Sequence, residues 1–248
     1  MGSPASEAGP VSTLRVLFED ADLVAVDKPS GLHTAPLRQG EGGTLLDLVI
    51  ARFPEVARVP GVKPVEPGLL HRLDRETSGV VLVARTASAF RGLLALFRAG
   101  AVRKEYLALC VPAAAVAPGE RLRAASRFAP SGPGRRRVRV VPVGGKARGA
   151  TAAAYATEAE VLQVREGKAL VRAVIVRGFR HQVRAHLAFL GLPIAGDPLY
   201  GAPASASPAR LFLHASILSF RHPVSGRAMR FEAPLPPEFG DFVSAPGR

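Results

Sequence analysis

Between residues 71 and 79 the chain reads His71-Arg72-Leu73-Asp74-Arg75-Glu76-Thr77-Ser78-Gly79, then turns apolar through Val80-Val81-Leu82-Val83-Ala84. One short carboxylate, Asp74, stands between two arginines at the mouth of a buried strand. Neighbouring guanidiniums favour the ionised form of a carboxylate, and an ionised carboxylate at an opening in a fold can attack an electrophilic carbon or stabilise a cationic one. A turn aspartate in a structural ion pair carries the same signature. Glu76 opens another reading: in an extended segment positions 74 and 76 face the same way, roughly 7 Å apart at Cα, close to the spacing of a retaining glycosidase pair. Further along, Tyr106 lies in an apolar run, and His181 and Arg184, three apart, share one side of a predicted helix. Taken singly, these read as a core tyrosine, a hydrogen-bonded histidine and an ordinary helix arginine.

The elements that must position these residues follow from periodicity and punctuation. Leu14 to Phe18 and Leu23 to Val26 flank Glu19-Asp20-Ala21-Asp22 as a β-hairpin, followed by the turn Lys28-Pro29-Ser30-Gly31. Thr44 with Asp47 forms a variant capping box ahead of a short helix that Pro54 stops. Residues 56–67 are a proline-rich loop leading to Asp74. Ala87 to Arg98 has helical spacing and ends at Gly100, and Glu105 to Val111 reads as a strand. Ala159 to Val164 and Leu170 to Val176 make a hairpin about Glu166-Gly167. His181 to Leu190 is predicted as a helix ended by Gly191, its Val183, Leu187 and Leu190 facing the core. Leu211 to Phe220 and Ala228 to Glu232 close the chain as a last hairpin. Many strands and few helices imply an α+β fold, one domain built on a mixed, largely antiparallel β-sheet with flanking helices.

Composition narrows the partner. The 248 residues carry 33 Lys and Arg against 20 Asp and Glu, a formal charge of +13, which points to a polyanion. All but five of the cations are arginine, the side chain whose fork suits phosphates and whose plane stacks on bases, so nucleic acid outranks a membrane surface. Arg135-Arg136-Arg137 concentrates this charge within an Ala/Gly/Pro/Arg-rich stretch, 113–150, read as a solvated face or as a basic flap or hairpin that grips a nucleic acid backbone. The single Cys110 cannot form an internal disulfide and fits a reducing cytoplasm. The first residues lack a signal-peptide pattern, and no apolar stretch reaches the roughly 18 residues of a membrane span.

Taken in order, several blocks resemble the RluA-type pseudouridine synthases: residues 71–79; Lys104-Glu105-Tyr106; His181-Gln182-Val183-Arg184-Ala185-His186-Leu187; Gly191-Leu192-Pro193-Ile194-Ala195-Gly196-Asp197-Pro198-Leu199-Tyr200-Gly201; and Leu213-His214-Ala215 with His222-Pro223. The likeness runs over about residues 14 to 238. One departure concerns the approach to the His-Gln pair, where Gly178 is followed by Phe179 and then Arg180, so the guanidinium expected there is displaced or is supplied by Arg177 or Arg180. About a dozen residues precede the first strand, which leaves no room for the amino-terminal S4-type RNA-binding domain of many members and hands recognition to the catalytic domain itself.

The resemblance implies residues 1–12 as a flexible N-terminal segment, 13–240 as a pseudouridine synthase catalytic domain with 113–150 as a basic insertion or flap, and 241–248 as a flexible tail. It implies isomerisation of a uridine in structured rRNA or tRNA. The N1–C1′ bond breaks, the uracil rotates, and C5 joins C1′; nothing is oxidised or phosphorylated, so no cofactor and no metal is expected. Asp74 is then the catalytic carboxylate, Arg184 its charge partner, and Tyr106 the ring that stacks on the base, with a hydroxyl that could take the C5 proton. Arg72, Arg75, Lys104 and Arg180 become candidate phosphate contacts, with His181 as a further RNA contact. Tyr200, His71, His186 and His214 read as structural. The expected assembly is a cytoplasmic monomer acting on an RNA stem-loop. Two rivals remain: a non-catalytic RNA-binding or ribosome-assembly factor retaining the fold, and a glycosidase or nucleosidase using Asp74 with Glu76.

Overall fold

A strand loses its polar/apolar alternation when both of its faces are covered, and the segment leaving Asp74 does so. The computed structural model describes residues 14–201 and 210–243, and in it β3 (Ser78–Ala84) is buried at every position. Its neighbour β2 (Leu23–Lys28) pairs with it antiparallel, Val24 opposite Val83 and Val26 opposite Val81, and with β1 (Arg15–Glu19) on its other side. Alternate side chains of β2 and β3 enter two different cores. Val24, Val26, Val81 and Val83 join Leu45, Leu46 and Val49 of α1 (Leu45–Arg52) and Val183 and Leu187 of α3 (Gln182–Phe189). Leu23, Ala25, Val80 and Leu82 pack instead with Phe90 and Leu93 of α2 (Ala87–Ala99). Each fully buried Leu or Phe contributes about 1.5–3 kcal/mol, so both faces of the sheet are held.

The remaining strands are β4 (Arg103–Cys110), β5 (Arg121–Ser131), β6 (Arg137–Pro142), β7 (Tyr155–Arg165), β8 (Lys168–Ile175), β9 (Leu213–Arg221) and β10 (Ala228–Glu232), with a final turn α4 (Gly240–Val243). Among the described residues they form one ten-stranded sheet, ordered β1-β2-β3-β9-β4-β8-β7-β5-β6, with β10 beside the end of β9. Every pairing of named strands is antiparallel except β3 with β9, where only Ser78 faces His214 and Gly79 faces Ala215. Gly79 has φ +116, and a Cβ there would lie 2.2 Å from the Ala215 carbonyl oxygen, so that contact admits only glycine. This is the mixed, mainly antiparallel α+β sheet expected from the sequence.

Local signals explain the ends of the elements. Thr44 and Asp47 make the reciprocal capping box of α1, and Gly100 closes α2 in the left-handed conformation. Glu166 and Gly167 both have positive φ, as a two-residue hairpin turn requires. The stretch 113–150 supplies β5 and β6, the hairpin at one edge of the sheet, with Phe128 and Val138 turned inward onto Ala185 and Arg135 to Arg137 exposed. The expected N-terminal segment 1–12 and residues 244–248 of the expected tail lie outside the described residues, while 241–243 belong to α4. No helix among the described residues is long and apolar enough to cross a membrane.

Candidate active site

The loop before β3 is tied down by backbone contacts from another part of the chain. Thr34 Oγ1 donates to the Leu73 carbonyl and accepts from the Leu73 amide, at 2.8 and 3.2 Å. Ser30 Oγ donates to the Glu76 carbonyl at 2.8 Å. Lys28, fully buried, donates from Nζ to the carbonyls of Pro29, Leu32 and Arg75 at 2.8, 2.7 and 2.9 Å. Burial pulls this ammonium down to about 7, against the charges of Glu76 and Asp74, which favour it. The Thr77 amide closes a turn onto the Asp74 carbonyl at 3.1 Å. Residues 74–77 turn rather than extend, and Glu76 lies outside the cleft lining, paired with Arg75 at 3.3 Å.

The cation beside Asp74 comes from 110 residues away. Arg184 Nη1 donates to Asp74 Oδ2 at 2.7 Å. The same guanidinium grips Asp197 through two bonds, Nε to Oδ2 at 2.8 Å and Nη2 to Oδ1 at 2.7 Å. Asp197 Oδ1 also accepts the amides of Leu199 and Tyr200, and the Tyr200 ring lies 5.4 Å under the guanidinium. Burial opposes the charge on Arg184, but the hydrogen bonds and charges of Asp197 and Asp74 outweigh it and hold the guanidinium above its ordinary range. Burial likewise opposes the Asp197 charge, and Arg184 with the two amides holds that carboxyl below the usual carboxylate range. The arrangement leaves Asp74 Oδ1 unclaimed by Arg184, on a side chain 30% exposed where that of Asp197 is 0%. An oriented, half-open carboxylate is a competent nucleophile or cation stabiliser.

Asp74, Tyr106 and Arg184 meet in one cleft of about 520 Å³, together with Arg72, Lys104, Arg180 and His181, a size suited to a small ligand or a single extruded nucleotide. Tyr106 is buried; burial first, and the negative charge of Asp74 second, push its hydroxyl pKa up, so the resting phenol is protonated. Lys104 is buried with Nζ 5.2 Å over the Phe97 ring, and burial lowers it to about 8. Arg180 donates to the Arg135 and Arg137 carbonyls at 2.7 and 3.3 Å, joining the cleft to the β5–β6 hairpin. The two arginines adjacent to Asp74 in sequence are engaged elsewhere: Arg72 with Glu66 at 2.7 Å, and Arg75 with the Gly31 carbonyl at 3.0 Å, outside the cleft lining.

His181 stands at the entrance of α3 with Nε2 3.8 Å from Asp74 Oδ1. Sequence reasoning missed Asp197, Lys28 and the contact made by Tyr200. The first and last lie inside a quoted block, but only the folded chain discloses which arginine they serve. Among the described residues, one group has metal-ligand spacing, Asp20, Asp22 and His222, away from this cleft. There His222 Nδ1 accepts the amides of Val224 and Ser225, and its Nε2 lies 3.3 Å from Asp20 Oδ2 without making a hydrogen bond.

The mixed sheet thus carries an arginine-held aspartate in a basic cleft. Residues 22–189 match the family model described as RNA pseudouridylate synthase, and the chain belongs to that family, whose members act on RNA. It is 31% identical over 239 residues to ribosomal large subunit pseudouridine synthase D of Pseudomonas aeruginosa, covering 91% of this chain and 69% of that protein. To the protein of the same name from Xanthomonas campestris it is 36% identical over 251 residues, covering 94% and 69%. To an uncharacterized RNA pseudouridine synthase of Chloroflexus aurantiacus it is 38% identical over 214 residues, covering 85% and 62%. The chain thus spans about two thirds of the length of these relatives. The solved structure of human RNA pseudouridylate synthase domain containing 1 shares the fold, with TM-score 0.70 and 24% identity over 94% of this chain and 89% of that one.

Proposed function

We propose that this chain converts a uridine of structured RNA, within large-subunit ribosomal RNA, into pseudouridine, acting as a cytoplasmic monomer with Asp74 as the catalytic carboxylate. The observation that carries the reading is the 2.7 Å contact of Arg184 with Asp74 Oδ2 in the open cleft, which orients the carboxylate while Oδ1 remains for chemistry. Attack on C1′ or C6, or elimination through a glycal, all draw on this one oxygen. Cleavage of N1–C1′ leaves the electron pair on uracil; after rotation C5 bonds to C1′, the C5 proton departs and N1 gains one. The Tyr106 ring serves as the platform for the freed base. In an attack route, ester formation at Asp74 removes the charge that, second to burial, holds the Tyr106 phenol protonated, so the hydroxyl gives up its proton more readily after the first step.

The names of the bacterial relatives support the ribosomal target. Lys104, Arg180 and the exposed Arg135 to Arg137 supply cations along one path to the cleft, and we assign them to phosphates. Affinity then falls with salt by about 0.7 log units per log unit for each single-strand phosphate neutralised. The test uses in vitro transcribed large-subunit rRNA and tRNA labelled with tritium at uridine C5. Tritium release from the rRNA, abolished by Asp74→Asn with RNA binding retained, is expected. An Asp74→Asn protein matching the parent in every assay supports the non-catalytic RNA-binding reading instead, and release from tRNA alone moves the substrate to that class.

A further inference from the structure

His181 is one of three non-glycine residues with positive φ among those described. It opens α3 at φ 55, ψ 17 without any side-chain cap. A residue with a Cβ keeps this disfavoured backbone only where its surroundings over-determine it, and such positions gather at functional sites. Here the surroundings are specific. Tyr200 Oη accepts the Val138 amide at 2.7 Å, which leaves its own proton for His181 Nδ1, 3.1 Å away. A neutral imidazole that accepts at Nδ1 carries its proton on Nε2, and Nε2 is the atom 3.8 Å from Asp74 Oδ1. Burial, the largest influence on the ring, disfavours its charged form; Arg184 and Arg180 act in the same direction, while Asp74 and Asp197 oppose them. The neighbouring charges are therefore divided.

We propose that His181 is a positioning residue for the catalytic carboxylate: Tyr200 fixes its proton on Nε2, and this N–H closes onto Asp74 Oδ1 when RNA fills the cleft. The proposal rests on the reading of Asp74 as the reacting group. A separation of 3.8 Å exceeds a hydrogen bond, and catalytic contacts commonly tighten only in the substrate complex. The tightening has a source in the fold. Val138, which holds Tyr200, directly follows the exposed Arg135-Arg136-Arg137, and Arg180, next to His181, grips the carbonyls of Arg135 and Arg137. A phosphate pulling on the hairpin tip thus moves the tyrosine and the imidazole together. With Arg184 on Oδ2 and His181 on Oδ1, each carboxylate oxygen is separately aimed, and a remaining lone pair of Oδ1 points to the sugar.

Two measurements test this, one of them independent of turnover. Long-range ¹⁵N correlation spectra of the histidine rings in the RNA-free protein, with the His181 signal identified by its loss in His181→Gln, are expected to report the Nε2–H tautomer at neutral pH and a tautomer mixture in Tyr200→Phe. A parent protein carrying the proton on Nδ1 overturns the proposal. In single-turnover assays, His181→Ala is expected to slow conversion by on the order of 100-fold, as a misplacement of about 1 Å does, with RNA affinity and thermal melting as in the parent. His181→Gln, whose amide nitrogen reaches the Nε2 position, recovers most of the rate. Loss of RNA affinity with the rate intact, or early melting of both variants without recovery by glutamine, overturns the proposal. A parent that forms no pseudouridine overturns the activity reading instead, and the spectrum still decides the ring geometry.

Discussion

Two arginine–carboxylate arrays occupy opposite faces of the same part of the sheet. On one face, Arg184 bridges Asp74 and Asp197 with side-chain exposures of 7% for the arginine and 0% for Asp197. On the other, Glu160 of β7 lies in register between Arg121 of β5 and Arg172 of β8 and pairs with both, but the arginines are 79% and 41% exposed. Both arrays join guanidiniums to carboxylates, one arginine with two aspartates in the first and one glutamate with two arginines in the second. What differs is solvent. In the open array the arginines keep their water and pairing adds little; in the closed array Arg184 and Asp197 have lost water and depend on each other. A chain rich in arginine can therefore place many ion pairs on its surface at little consequence and still depend on one.

The sharpest way to break this contrast is Asp74→Asn. Uridine conversion is expected to vanish while circular dichroism, melting and RNA affinity stay as in the parent, and residual turnover near the parental rate would remove Asp74 from the chemistry. Next is Asp197→Ala, which strands Arg184 in a buried site; breaking such a pair costs about 3–5 kcal/mol, read by urea denaturation, with turnover falling as the guanidinium leaves Asp74. If that variant is as stable as the parent, burial is not what separates the two arrays. A third test uses protons. Burial pushes His186 and His214 down to about 4, below the 6.5 of an unfolded chain, which therefore binds more protons as acid is added. The stabilisation is complete above about pH 6.5 and is lost progressively as pH falls toward about 4, roughly 3 kcal/mol for His214 alone. Denaturation midpoints across that range check it, and a flat profile contradicts it. The smallest effect is expected from Glu160→Ala, which should leave both the unfolding midpoint and turnover unchanged.

What could be read from the sequence follows the same division between local and distant causes. The capping box at Thr44 and Asp47, the Gly100 terminator, the Glu166-Gly167 turn and the hairpins around them are encoded within a few residues, and each is found in the fold. For 113–150 the sequence leaves a solvated face and a basic flap or hairpin both open, because small residues such as Ala124 and Ser126 mark the inward face of β5 where larger apolar ones would announce a strand. The parallel pairing of β3 with β9 joins segments far apart in the chain and has no local signature. At the site, Asp74 is legible from its arginine-flanked setting ahead of an apolar strand as well as through resemblance, Arg184 only through resemblance, and Arg72 and Arg75 draw attention by adjacency although neither is the partner of Asp74. Asp197 lay in plain view beside Gly196, but its meaning depends on a guanidinium 13 residues upstream on another element.

The crowding at Gly79 has a consequence for how this protein can change over generations. Five positions after Asp74 the chain passes so close to Ala215 that even one methyl group would meet a carbonyl oxygen. Insertions, deletions or side chains at that crossing would force β3 and β9 apart and carry the Asp74 loop with them. The exposed side chains of Arg135 to Arg137 meet no such wall and can vary, while the distance from the Asp74 carboxylate to the crossing point stays frozen.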